Sequence, residues 1–139
     1  MITFSHVGIA VAKGSPLRAL LGLLEVPTHD TTVPRESLAV TMVPLGARSA
    51  RLELLETENP DSTVGRFLAR HGPGIHHVCL GVPHGALDAI CERLRANGYR
   101  LLLEKNELGA EGAFVNFVHP KSTGGVLLEL QEQSRDGEP

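Results

Sequence analysis

The chain has 139 residues, 42% hydrophobic and 21% charged, with a formal net charge of −3. That length suits one domain with a sizeable core, and that charge leaves no basic footprint for nucleic acid. Cys79 and Cys91 form neither a CxxC motif nor a disulfide framework, no apolar run approaches the roughly 18 residues of a membrane span, and the N-terminus has no basic leader, so a cytoplasmic protein without membrane partners is expected.

Residues 2–11 have strand periodicity: Val7, Ile9 and Val11 line one face, His6, Gly8 and Ala10 the other. Ser15-Pro16 is a helix start, and Leu17, Leu20, Leu21 and Leu24 follow at helical spacing. Residues 27–37 hold three Thr and two Pro and are expected to be a loop. Two strands are predicted over 38–44 and 48–56, joined by the Leu45-Gly46-Ala47 turn. In the second, Leu52 and Leu54 share a face opposite Arg51, Glu53 and Leu55. Ser62 is an N-cap for a short helix bearing Val64, Phe67 and Leu68, stopped by Gly72.

Gly72-Pro73-Gly74 divides the chain into modules of about 1–72 and 75–133. Residues 75–82 predict a strand with His77, Cys79 and Gly81 on one face, and His76, Val78, Leu80 and Val82 on the other. Leu87, Ile90, Cys91 and Leu94 recur at i, i+3, i+4 and i+7, a helix closed by Asn97-Gly98. A strand over 99–104, a loop over 105–112, a strand over 114–119 and a turn over 120–124 lead to the last strand, 125–131. Residues 132–139 are polar and expected to fray.

The modules repeat weakly. His6-Val7-Gly8-Ile9-Ala10-Val11 is echoed by His77-Val78-Cys79-Leu80-Gly81-Val82, and Leu52-Glu53-Leu54-Leu55-Glu56 by Leu128-Glu129-Leu130-Gln131-Glu132. Each module carries a His on its first strand and a Glu on its last, on the face away from the aliphatic side chains. A carboxylate buried in an apolar strand needs a cation. His6, Glu53, His77 and Glu129 together suit a divalent ion of the Mn, Fe, Co, Ni or Zn type, balance its charge, and leave two of six positions open. His76 has the wrong parity and is expected to pack or to act from behind. His29, His71 and His84 receive no role.

These residues, with Pro60-Asp61-Ser62, Gly74-Ile75-His76-His77 and the stretch His119-Pro120-Lys121-Ser122-Thr123-Gly124-Gly125, resemble the methylmalonyl-CoA epimerases of the vicinal-oxygen-chelate (glyoxalase and dioxygenase) superfamily. The resemblance covers nearly the whole chain. It implies an α+β fold in which two βαβββ modules form a cupped eight-stranded mixed sheet, usually in a homodimer. It puts the metal ligands on His6, Glu53, His77 and Glu129, the ion being Co, Mn, Ni or Zn. The chain departs from the family at Leu17–Gly22, at Pro34-Arg35-Glu36, and at Glu111 within Gly109–Gly112.

The activity implied is interconversion of (2R)- and (2S)-methylmalonyl-CoA by removal and return of the C2 proton through an enolate. Glu129 is the expected base. Glu36, Glu53 and Glu111 are the choices for a second. Lys121 and Ser122 are placed to hold substrate oxygens, and Arg35, Arg48 and Arg100 are available for the CoA phosphates. The alternatives are a glyoxalase-type isomerase or lyase and a metal-free small-molecule-binding protein of the resistance type.

Overall fold

The computed structural model describes residues 1–46 and 50–135. Ala47, Arg48 and residues 136–139 lie outside them, as does the side chain of Arg35. The chain divides into two compact units, one of His6–His76 and one of Met1–Ser5 with the chain from His77 onward. Each is built on a βαβββ pattern.

In the first unit, β1 (Thr3–Ala10), α1 (Pro16–Leu23), β2 (His29–Val33), β3 (Leu38–Pro44), β4 (Arg51–Thr57) and α2 (Thr63–His71) follow in order. The strands lie in the order β2-β3-β4-β1. β1 and β4 are parallel, and the other pairs are antiparallel. Ser15 caps α1 through its hydroxyl, which accepts from Leu17 N–H, and Ser62 caps α2 by accepting from Gly65 N–H. One face of the strands packs under α1: Val11, Leu21, Val43 and Leu54 form a buried cluster joined by Ile9, Leu17 and Leu52. Burying one such leucine stabilises by about 1.5–3 kcal/mol. The opposite face, which carries His6 and Glu53, is closed at one end by α2, where Ala10, Val40 and Leu55 meet Val64, Phe67 and Leu68.

In the second unit, β5 (Gly74–Val82), α3 (Leu87–Ala96), β6 (Glu107–Leu108), β7 (Phe114–Val118), α4 (Pro120–Thr123) and β8 (Leu128–Glu132) follow. The order is β5-β8-β7-β6, with β5 and β8 parallel and the rest antiparallel. Val82, Leu87, Cys91, Val118 and Leu130 form its core under α3. The helix periodicity and the strand parities expected of this half therefore hold.

Several expectations fail. The last strand starts at Leu128 instead of 125 and includes Glu132, and Gln133, expected to fray, is buried and bonded to Thr3 and Gly81. Residues 27–37 are not all loop, because 29–33 form β2 and 34–36 a 3₁₀ turn. The strand has no apolar alternation. Thr31, Thr32 and Val33 are β-branched and suit a pleated edge. Asp30 is held from two sides, by the guanidinium of Arg18 at 2.9 Å and the Thr41 hydroxyl at 2.8 Å. Residues 99–104 in turn form no strand. Leu101 makes an isolated bridge to Val118 and Leu102 N–H still reaches the Phe117 carbonyl at 2.8 Å, but from Leu103 side chains take over the backbone partners. The amide of Asn116 accepts from Leu103 N–H at 3.2 Å and donates to the Leu103 carbonyl at 3.1 Å. Arg95 donates to the carbonyls of Leu103 and Glu104 at 2.9 and 3.0 Å. The strand that pairs with β7 begins later, at Glu107, inside the segment expected to be loop. The 120–124 segment, expected to be a turn, closes as the single helical turn α4.

Candidate active site

In the first unit, the parallel register sets His6 opposite Arg51 and Gly8 opposite Glu53. Neighbours on one face of a parallel pair bring their side chains together. His6 Nε2 lies 2.8 Å from Glu53 Oε2, and both side chains are buried. Arg51, two residues before Glu53 and on the same face, joins them. Its Nε donates to Glu53 Oε1 at 3.3 Å, and its NH2 group stands 3.3 Å from His6 Nδ1. Sequence reasoning placed Arg51 on this face but gave it no role. The signal was there in its parity with Glu53; the partner 45 residues away was not.

The second unit repeats the arrangement. β5 and β8 are parallel, with Cys79 opposite Glu129. His77 Nε2 lies 3.0 Å from Glu129 Oε2, again with both side chains buried. Phe117, opposite Glu129 on β7, sets its ring edge-on to His77, with centroids 6.2 Å apart. Next along the face, Cys79 Sγ lies 3.8 Å from Gln131 Oε1, and Gln131 Nε2 donates to Glu111 Oε2 at 2.9 Å. The acid between the glycines thus reaches the face of β8 that carries Glu129. His76, with the opposite parity, packs its ring on Phe67 at 5.1 Å. Burial pushes the thiol of Cys91, on the α3 side, above its ordinary pKa.

The His119–Gly125 stretch is built for shape. His119 caps α4 by accepting from Lys121 N–H at 3.0 Å. Gly124 and Gly125, at φ of 76° and 115°, reverse the chain into β8, a conformation that side-chain-bearing residues rarely adopt. The Ser122 hydroxyl accepts from Arg100 N–H at 2.9 Å, and the Lys121 side chain is exposed. Glu36 is exposed on the 3₁₀ turn after β2.

Each imidazole–carboxylate pair by itself offers donors that suit a divalent ion. Ligands at about 2.1 Å on neighbouring octahedral positions stand about 3.0 Å apart. The pairs measure 2.8 and 3.0 Å, and nitrogen with carboxylate oxygen suits first-row metals.

Comparison with known proteins places this geometry. The model of the glyoxalase/bleomycin resistance protein/dioxygenase superfamily matches residues 5–117. The human mitochondrial methylmalonyl-CoA epimerase is 36% identical over 129 residues, covering 92% of this chain and 72% of the relative. The chain belongs to the methylmalonyl-CoA epimerase family. An ethylmalonyl-CoA/methylmalonyl-CoA epimerase of Cereibacter sphaeroides is 34% identical over 134 residues, covering 92% of this chain and 96% of its own. A solved methylmalonyl-CoA epimerase in complex with methylmalonyl-CoA and NH4+ superposes with a TM-score of 0.86 at 28% identity, covering 100% of this chain and 99% of the other. The α+β glyoxalase-type fold expected from the sequence is therefore the fold of this epimerase-family chain, and the chain is an enzyme of the isomerase class. No helix among its described residues is long and apolar enough to cross a membrane.

Proposed function

We propose that this protein interconverts the C2 epimers of methylmalonyl-CoA with the help of one divalent ion, of the Co, Mn, Ni or Zn type, held by His6, Glu53, His77 and Glu129. The observation that carries this reading is the repeated pair: in each module a buried imidazole faces a buried carboxylate at 2.8 or 3.0 Å. The acyl-CoA complex of the solved relative supports the substrate class.

The ion, when bound, supplies Lewis acidity that lowers the cost of the enolate. Glu129 does the proton work. One of its carboxylate oxygens takes the C2 proton as the C–H bond breaks, and the electron pair passes into the thioester enolate. His77, edge-on to Phe117, holds that carboxylate in place, and the buried Cys79 and Gln131 fill the face beside it. A second acid returns a proton to the opposite side. Glu36 and Glu111 are its candidates, since Glu53 is already engaged by Arg51 and His6. The Lys121 ammonium and the O–H of Ser122, which is still able to donate, hold substrate oxygens. Arg35, Arg48 and Arg100 are the cations available to the CoA phosphates. The family reading brings with it a homodimer in the cytoplasm, and light scattering checks the oligomer.

The test is exchange of the C2 proton of methylmalonyl-CoA with D2O, followed by NMR. The expected result is exchange with epimer interconversion, stopped by EDTA and restored by Co(II) or Mn(II). Malonyl-CoA is expected to exchange as well, because the methyl group that it lacks has no part in the chemistry. Metal-replete protein that exchanges neither thioester would sink the epimerase reading in favour of a glyoxalase-type isomerisation.

A further inference from the structure

We propose that Arg51 is a positioning residue that fixes the tautomer of His6 and thereby opposes the ion it is to bind, keeping the metal exchangeable. The inference rests on the metal reading above. It starts from an asymmetry of hydrogen-bonding chemistry. A guanidinium carries five N–H donors and no acceptor. Its NH2 group stands 3.3 Å from His6 Nδ1, so that nitrogen accepts and carries no proton. The proton of the neutral ring then sits on Nε2, pointed at Glu53 Oε2 2.8 Å away. Arg51 Nε completes the set by donating to Glu53 Oε1 at 3.3 Å.

This inverts the usual support of a metal-binding histidine. Such a residue ordinarily donates its outer N–H to a carboxylate or carbonyl, which leaves the inner nitrogen free to ligate. Here the outer nitrogen faces a donor. For Nε2 to ligate, the neutral ring has to carry its proton on Nδ1, against an N–H of Arg51. The guanidinium also places a fixed positive charge beside Glu53, in a position where the ion brings its own. Arg51 is only 8% exposed, so water screens little of this. In compensation, Arg51 neutralises Glu53 while the ion is away, so the buried carboxylate is not left unpaired.

The experiment has two readouts, and neither is activity. In metal-free protein labelled with ¹⁵N-histidine, the ring nitrogens of His6, identified by their loss in His6→Asn, are expected to report the proton on Nε2. In Arg51→Met that preference is expected to weaken, and titration calorimetry with Mn(II) or Co(II) is expected to show binding at least tenfold tighter than in the natural protein. Arg70→Met, on the exposed end of α2, controls for the loss of one positive charge and is expected to bind as the natural protein does. Should Arg51→Met fail to fold, Arg51→Lys keeps a cation near Glu53 but loses the fork, and is expected to bind the ion more tightly than Arg51 does. A proton on Nδ1 of His6 in the metal-free natural protein would overturn the inference, and so would equal or weaker binding by the Arg51 variants. Binding of no ion by any of the proteins would overturn the metal reading itself and this inference with it, and the tautomer readout would separate that failure from one confined to Arg51.

Discussion

Asn116 clamps Leu103 by both of its backbone groups, accepting from the N–H at 3.2 Å and donating to the carbonyl at 3.1 Å. The amide is fully buried, and its Nδ2 also donates to Asn106 Oδ1 at 2.7 Å. A side chain thus does the work of a neighbouring strand at Leu103. Removing one partner from such a network strands the others without water. Asn116→Ala is expected to cost about 2–4 kcal/mol in urea unfolding. It is also expected to open the 99–106 segment to hydrogen exchange before the rest of its unit. Uniform protection across that unit would contradict the clamp.

Metal content separates the histidines by parity. His77→Ala and Glu129→Ala are each expected to abolish most of the binding of a divalent ion, as read by elemental analysis of purified protein. His76→Asn is expected to retain it, because the ring of His76 packs on Phe67 at 5.1 Å instead. Equal losses in His76→Asn and His77→Ala would mean that the register of β5 does not decide the ligands.

Glu129→Gln probes the proton step. The amide still ligates through its oxygen but accepts no proton. The expected outcome is partial metal retention with C2 exchange slowed by a factor of about 10²–10⁴, the scale of a lost general base. Exchange at the natural rate would remove Glu129 from the role of base.

Gly81 is required by a close approach. A Cβ there would stand 2.6 Å from Thr3 Oγ1 and 3.2 Å from Gln133 Nε2. The Gln133 amide donates to Thr3 Oγ1 at 2.7 Å and to the Gly81 carbonyl at 3.2 Å, so the neighbours are themselves held. Gly81→Ala is expected to destabilise by about 1–3 kcal/mol, the usual range for overpacking. Thr3→Ala in the same chain is expected to return part of that loss. A double variant no more stable than Gly81→Ala alone would show that Thr3 is not the obstacle.

Asp30 makes the edge strand sensitive to acid. The Thr41 hydroxyl holds its carboxyl below the ordinary value, against the opposing effect of burial, and the Arg18 guanidinium lowers it further. A carboxyl lowered in the folded state adds stability above its unfolded pKa, near 4, and that stability is lost as pH falls through the folded value. Thr41→Val is expected to raise the pKa of Asp30 in an NMR titration and to flatten the acid limb of the stability curve. An unchanged Asp30 titration would assign the lowering to other groups.

Much of the architecture was legible because its causes are local. Ser15-Pro16 and Ser62 start helices through contacts two or three residues away, and α3 shows its buried stripe in the spacing of Leu87, Cys91 and Leu94. The alternation of side chains along β1, β4, β5 and β8 sorted His6, Glu53, His77 and Glu129 onto the faces away from α1 and α3. What tertiary structure decided depends on partners far along the chain. β2 has no apolar alternation and is held through Thr41 and Arg18, 11 and 12 residues from Asp30. The 99–104 segment has the composition of a strand, yet an asparagine 13 residues from Leu103 takes its backbone partners. Arg51 looked like one more charge on a strand until the parallel register set it across from His6. Periodicity reports which way a side chain points, since that follows from the backbone of its own strand. Which atom it meets depends on the pairing register, and no residue encodes that alone.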